Sequence, residues 1–388
     1  MNKIMFVDDE EDLELLMRQR FRRQLRAKEF EFYFARSGIE ALKLLEKEPD
    51  IRLVVSDINM PEMDGLTLLK NINQQFPDVI AIIVSAYGDM SNIRAAMNLG
   101  AFDFVTKPIN FDDLNLTINK TFSHIQYLIN SEKTRSQLDT LLYELNVAAS
   151  IQQSILPKKF IKNDFIELYA NMTAAKEIGG DFYDFFWLDD KKLAFVMADV
   201  SGKGVPAALF MTVSRTLLRA HASKDMTTGA SLMEVNNALQ QENTNMMFVT
   251  TFYAVLDVES GQLTYTNGGH NPPCIIRKGG NVELLDKRHG MALGIMDNVN
   301  YGQDIITLLP GDAFFTYTDG VTEAENEARA QLGEKKLVSL LEKYRDLSAE
   351  ELVNTIGKEI VDFASGFPQS DDITMLAVRY FKNQGKTI

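Results

Sequence analysis

A chain of 388 residues is longer than one typical domain and implies two or three. Its 54 Asp and Glu outnumber its 40 Lys and Arg, and the resulting charge of −14 excludes nucleic acid as the main partner, because neutralising phosphates takes clustered cations. A single cysteine, Cys274, excludes an intramolecular disulfide and fits a reducing compartment; beside Pro272 and Pro273 in an apolar run, it reads as a packed thiol.

In chain order, the opening MNKIMFVDDE is too short and too acidic for a signal segment. No apolar run approaches the roughly 20 residues that span a bilayer. A cytoplasmic protein without membrane insertion is expected. Up to about residue 125, short apolar runs recur at Ile4–Val7, Phe30–Ala35, Leu53–Ser56, Val79–Ser85 and Ala101–Val105. Helical spacing lies between them, as in Leu13, Leu16, Met17, Phe21 and in Ile39, Leu42, Leu45. Buried strands alternating with amphipathic helices predict a doubly wound α/β domain on a five-stranded parallel sheet. Its reactive groups belong at the carboxyl ends of the strands, where Asp8, Asp9, Asp57, Ser85 and Lys107 fall.

Residues 112–156 contain no Gly and no Pro. Leu114, Ile118, Phe122, Ile125 and Ile129 keep helical spacing, and Leu138, Leu142, Leu145 and Ala149 keep the three-four spacing of a coiled-coil seam. The polar stretch NSEKTRSQ interrupts this stripe, so the spacing predicts one long helix or two in tandem. An apolar stripe on an isolated helix needs a partner surface. A homodimer through this linker is therefore expected.

From about residue 160 the pattern changes to successive strands: Phe165–Ala170, Phe182–Leu188, Leu193–Ala198, Phe252–Val258, Leu263–Thr266, Cys274–Arg277, Ile305–Leu308, Ala313–Thr316 and Ile373–Tyr380. Helical stretches at Val205–His221, Gly229–Gln240, Lys335–Tyr344 and Ala349–Phe363 must cover the sheets. An α+β layered β-sandwich flanked by helices follows. The expected divisions are 1–122, a helical linker over 123–157, a second domain over 158–381 and a tail over 382–388.

Asp8, Asp9 and Asp57 can share one hard cation, with Asp57 free to attack a phosphoryl group as a carboxylate nucleophile. Lys107 would neutralise phosphoryl oxygens and Ser85 would offer them a hydroxyl. The strings FVDDE, SDINMPEMDG, IIVSAYGD and GAFDFVTKP resemble the receiver domain of two-component response regulators across the first ~120 residues. The resemblance implies Asp57 as phosphoacceptor, with Asp8, Asp9, Asp57 and the Asn59 carbonyl holding Mg²⁺. It implies Ser85 and Lys107 as the switch hydroxyl and phosphate-binding cation, and a sensor histidine kinase as phosphodonor. The switch aromatic, usually Tyr, is Phe104 here and lacks the hydroxyl. Lys107–Pro108 is a candidate cis peptide.

In the second domain, aspartates sit beside glycines or open strands in KEIGGDFYD, MADVSGKGVPAALF, YTDGVTEA and SDDITMLAV. With four histidines in the whole chain and no His-Cys cluster, oxygen ligation of two Mg²⁺ or Mn²⁺ is the fitting chemistry. Such a pair acidifies water and clamps a displacement at phosphorus. With YTNGGHNPP, and IQQSILP upstream, these strings resemble the PPM superfamily, and within it the SpoIIE/RsbU-like Ser/Thr phosphatases, over roughly 150–381. The resemblance implies Asp181, Asp199, Asp319 and Asp371 as the metal-binding catalytic set, with Asp199 bridging. The Val200 carbonyl is a further ligand, and Asp372 shares the last position because the doubled Asp leaves the register open. Lys176 stands where relatives often carry a phosphate-binding arginine. Asp184 reads as structural, His270 as a turn lock, and Lys203 as either a phosphate contact or a solvated lysine.

A response regulator whose Asp57 phosphorylation controls a metal-dependent phosphoserine/phosphothreonine phosphatase is expected. Its substrate would be a phosphorylated anti-anti-sigma (STAS) type protein in partner switching. A receiver-controlled pseudophosphatase that sequesters a partner is the rival; the presence of all four ligand aspartates weighs against it.

Overall fold

The computed structural model describes residues 1–381 except Tyr87 and Glu242; the expected 382–388 tail lies outside the described residues. The chain forms two compact units, Met1–Thr140 and Leu141–Ile388. In the first, β1 (Asn2–Val7), β2 (Phe30–Ala35), β3 (Ile51–Asp57), β4 (Ile80–Ala86) and β5 (Asp103–Lys107) form one parallel sheet in the order β2-β1-β3-β4-β5. Helices α1 (Leu13–Arg20), α2 (Arg22–Arg26), α3 (Gly38–Lys47), α4 (Gly65–Gln75) and α5 (Met90–Asn98) connect the strands. The spacing through Phe21 predicts one helix; the backbone instead breaks there into α1 and α2, and Phe21 is buried against Phe30 and Phe32. Both faces of the sheet are covered, one by a cluster around Phe6, Phe32 and Ile118, the other around Val54, Leu68 and Ile72. This is why its strands read as continuous apolar runs.

Helix α6 (Phe111–Ile155) is a single helix of 45 residues, so the polar stretch 130–137 does not break it. With neither Gly nor Pro in its interior, nothing in the backbone stops it. Leu114, Ile118 and Ile125 are buried in the first unit, and Gln152 is buried in the second. Between them Tyr127, Leu128, Leu138, Leu141 and Leu142 are exposed, while Leu145 and Ala149 are half-buried.

The second unit stacks two antiparallel sheets. One has the order β14-β11-β10-β9-β8, built from β8 (Phe182–Trp187), β9 (Lys192–Val200), β10 (Val249–Asp257), β11 (Gln262–Gly268) and β14 (Asp304–Thr307). The other runs β13-β12-β15-β16-β7-β6, from β6 (Ile161–Lys162), β7 (Ile166–Thr173), β12 (Cys274–Ile276), β13 (Val282–Leu284), β15 (Ala313–Tyr317) and β16 (Ile373–Tyr380). Their inner faces meet where Phe314 packs 5.2 Å from Phe195 and 5.4 Å from Phe252, ring centre to ring centre. Each such buried ring contributes about 1.5–3 kcal/mol. Helices α7 (Val205–His221) and α8 (Thr228–Gln240) bury Met211, Leu218, Leu232 and Val235 in this core. Helices α10 (Gly333–Lys343) and α11 (Ala349–Ala364) cover the outer face of the second sheet, where Leu341, Leu352 and Ile356 join Phe315, Tyr317 and Met375. A single turn, α9 (Asp319–Thr322), follows β15. The layered sandwich flanked by helices is the architecture the sequence predicted. Cys274 is buried, and burial pushes its thiol up to about 12.

Candidate functional site

In the first unit β1 and β3 lie side by side and parallel, so their carboxyl ends deliver Asp8, Asp9 and Asp57 to one place. Their carboxylate oxygens lie within 4.8 Å of one another; Asp8 and Asp57 are buried and Asp9 is exposed. Lys107, the last residue of β5, donates from Nζ to Asp57 Oδ2 at 2.8 Å, Asp8 Oδ2 at 3.0 Å and Glu10 Oε1 at 3.3 Å. Burial works against its charge, but the bonds to Asp57 and Asp8 outweigh burial and hold its pKa above the ordinary lysine value. The other Asp57 oxygen accepts the Ile58 N–H at 2.7 Å. Three carboxylates against one shared ammonium leave net negative charge on an all-oxygen donor set, which fits a hard divalent cation. Ser85 is buried, and its hydroxyl has no hydrogen-bond partner among the described residues. Such an orphan costs about 1–3 kcal/mol, and an incoming phosphoryl oxygen would satisfy it. Phe104 is partly exposed on β5 and Asn59 exposed just after β3; Lys107–Pro108 is cis. A Cβ on Gly65 would sit 2.1 Å from the Asp57 carbonyl oxygen, so only glycine lets α4 start this close to the acceptor strand.

In the second unit, Asp199 is near the end of β9, Asp181 immediately precedes β8, Asp319 opens α9 after β15, and Asp371 precedes β16. These ends meet at one edge of the sandwich. Asp181 is buried and accepts the Thr374 hydroxyl at 2.6 Å. Burial, then the charge of Asp199, push Asp181 well above the usual carboxylate range. Burial, then Asp319 and Asp371, push Asp199 up to about 7. Burial, then Asp371, push Asp319 up to about 6. Burial and neighbouring negative charge thus raise the proton affinity of Asp181, Asp199 and Asp319, which a divalent cation would relieve; the donor set is oxygen only, as Mg²⁺ or Mn²⁺ requires. Among the described residues, Lys203 is the one lysine or arginine in ion-pair contact with the four, its Nζ 2.8 Å from Asp371 Oδ2. The Val200 carbonyl lies 3.0 Å from where a Cβ on Gly180 would be, so a glycine there admits it to the Asp181 loop.

Asp372 departs from its expected place among the ligands. Its carboxylate accepts the backbone N–H groups of Ala175 at 2.8 Å, Gly180 at 2.6 Å and Asp181 at 3.3 Å. Neighbours along an extended chain point opposite ways, so one of the doubled pair faces the cluster and the other faces the loop. Lys176 is exposed in that loop, with no ion pair among the described residues. Asp184 is buried under Arg219, which binds it through Nε at 2.6 Å and Nη2 at 2.9 Å, and under Arg215 at 3.1 Å; the pair fastens α7 to β8. His270 is buried, bonded through Nδ1 to the Thr250 hydroxyl at 2.9 Å and through its backbone N–H to Asn267 Oδ1 at 2.7 Å. Burial lowers it to about 3, so it is neutral and locks the turn. Sequence reasoning missed Thr374, although a polar residue in the opening of an apolar strand was a signal, and Gln152, for which helical spacing gave none.

Two family models match: "Response regulator receiver domain" over residues 4–119 and "Stage II sporulation protein E (SpoIIE)" over residues 189–381. Protein IcfG of Synechocystis sp. is 34% identical over 263 residues, 61% of this chain and 41% of that protein. The chain thus spans about two fifths of that relative's length. Phosphoserine phosphatase RsbU of Bacillus subtilis is 30% identical over 236 residues, 61% of this chain and 70% of that protein. The SiaA-PP2C domain of Pseudomonas aeruginosa superposes with a TM-score of 0.56 at 22% identity, over 63% of this chain and 98% of that domain, and shares its fold.

Proposed function

We propose that this chain, which belongs to the SpoIIE/RsbU family of PPM phosphatases and carries a response regulator receiver domain ahead of its phosphatase domain, is a metal-dependent phosphoserine/phosphothreonine protein phosphatase governed by phosphorylation of Asp57. The observation that carries this reading is the cluster of buried Asp181 with half-buried Asp199, Asp319 and Asp371, whose charge exceeds what Lys203 can offset. Two Mn²⁺ or Mg²⁺ held by these carboxylates and the Val200 carbonyl would supply the charge that acidifies water and neutralises phosphate oxygens. Thr374 and the loop bonded to Asp372 orient Asp181. Lys203 holds the Asp371 carboxylate through an ion pair, and that bond raises the lysine's own pKa. Lys176, on the exposed loop beside the cluster, would meet substrate phosphate as a point charge.

In the receiver, over residues 1–122, Asp57 is the nucleophile toward a phosphodonor, a sensor histidine kinase. Asp8, Asp9, Asp57 and the Asn59 carbonyl would hold Mg²⁺, which supplies countercharge to the phosphoryl oxygens. Lys107 exchanges its Asp57 contact for a phosphoryl oxygen, Ser85 donates to another, and Phe104 moves with Ser85. The helical linker over 123–157 carries the change to the phosphatase domain over 158–381, with its exposed apolar seam paired in a homodimer. RsbU's name as a phosphoserine phosphatase, and its likeness to this chain, support a phosphoserine protein as substrate; a phosphorylated STAS-type protein is the substrate we propose.

The test is release of phosphate from a phosphoserine protein with Mn²⁺, with and without acetyl phosphate, in wild type, Asp199→Ala and Asp57→Ala. Equal rates in wild type and Asp199→Ala would sink the metal mechanism. An unchanged wild-type rate with acetyl phosphate would sink receiver control.

A further inference from the structure

Gln152 lies in the last turn of α6 and is buried, on a helix whose neighbouring turns are largely exposed. Its side-chain amide brackets one backbone residue. Nε2 donates to the Gly179 carbonyl at 2.6 Å, and the Gly179 N–H donates to Oε1 at 3.2 Å. Gly179 is two residues before Asp181. The segment 174–180 has no regular secondary structure, and of residues 174–178 only Ile178 is buried. Beside Gln152 a cavity of about 230 Å³, lined by Leu156, Met172, Ala174, Glu177 and Tyr183, leaves that flank of the loop without close packing. The loop is therefore held by two side chains that use its backbone as their partner: Asp372, from the start of β16, and Gln152, from α6.

We propose that Gln152 is a positioning residue through which the end of α6 sets the place of Asp181, and with it the affinity of the phosphatase site for its cation. The proposal rests on the phosphatase reading above and names the contact by which the helix would regulate that site. A primary amide carries a donor and an acceptor side by side, so it can meet both the N–H and the C=O of Gly179, and the bracket fixes the orientation of that residue as well as its distance. A shift or rotation of the last turn of α6 pulls Gly179, and Asp181 follows through two peptide units.

The test uses the full chain. In the metal-free protein, hydrogen exchange over residues 174–182 should be about tenfold faster in Gln152→Ala than in wild type, the effect of losing bonds worth about 1.4 kcal/mol. Gln153→Ala, at an exposed neighbouring position, should match wild type. Calorimetric titration with Mn²⁺ should show affinity weakened about tenfold in Gln152→Ala, as loss of an outer contact to a ligand does. Gln152→Glu, which keeps the acceptor but loses the donor, should fall between and covers the case in which the alanine variant does not fold. Wild-type exchange and wild-type Mn²⁺ affinity in both variants would overturn the proposal, whereas a lowered melting temperature alone would mark Gln152 as merely structural and overturn it too. Hydrolysis of p-nitrophenyl phosphate with Mn²⁺ is a separate arm. Its absence in wild type would remove the phosphatase reading and leave the bracket to stand or fall on exchange.

Discussion

The two acidic sites of this chain differ in how their charge is balanced. In the first unit Lys107 reaches both buried carboxylates, Asp8 and Asp57, at 3.0 and 2.8 Å, so the site carries a cation of its own. In the second, burial and mutual repulsion raise Asp181, Asp199 and Asp319, and Lys203 meets only Asp371. A site with a lysine on its nucleophile, beside room for one divalent cation, can pass that ammonium to a phosphoryl group and hold it. A site in charge deficit depends on imported cations, and such cations make water reactive. On the proposed function, the same side chain would serve storage in one unit and removal in the other.

The comparison breaks most decisively on activity. Asp199→Asn should reduce Mn²⁺-dependent phosphate release by at least about a hundredfold. It should leave phosphorylation of Asp57 by acetyl phosphate, read by intact mass, at the wild-type level. Asp57→Ala should do the reverse: no phosphoryl adduct and no response of the rate to acetyl phosphate, with basal release retained. Any cross-over between these two variants would erase the division of labour.

Acidity sharpens it further. Asp199 at about 7 and Asp319 at about 6 lie above the 3.8 of an ordinary aspartate, so the folded metal-free chain binds protons more tightly than the unfolded one. Their stabilising contribution is full below about pH 4 and is lost as pH rises through 6 to 7. Without metal, the melting temperature of the second unit should therefore fall across that window, on the order of 5 °C, and Asn at position 199 should flatten the fall. Mn²⁺ should restore stability most at the upper end. A slope that Asp199→Asn leaves unchanged would remove Asp199 from the deficit. The smallest effect concerns the helix. Leu142→Glu, at an exposed position, should change stability by no more than about 0.5 kcal/mol while converting a dimer to a monomer in sedimentation. A wild-type chain that sediments as a monomer would remove the seam from the account.

The receiver was legible because a parallel sheet sends every strand end to one edge, so four motifs far apart in sequence needed only their strands to be recognised. The sandwich was legible in its long strands, whose apolar runs stand out between turn residues, while β6 and β13, two and three residues long, carry too little periodicity to register. The doubled Asp371-Asp372 defeated sequence reasoning because type alone does not say which carboxylate meets backbone amides. Asp184 could be read as structural, but not its partners Arg215 and Arg219, which arrive from a helix about 30 residues on. Gln152 lies in the IQQSILP string, but its contact could not be read: a polar residue on a helix reads as solvent-facing until the loop it brackets is seen.

Cys274 gives the chain a built-in reporter. It is the only thiol, it is fully buried in β12, and it belongs to the second unit alone. A thiol-reactive dye can reach it only when that unit opens, so labelling kinetics follow the opening of the phosphatase domain without interference from the receiver. In a chain of two units, where one melting curve blends two transitions, this separates them. Cation, pH and acetyl phosphate can then each be read by how long a single sulfur stays hidden.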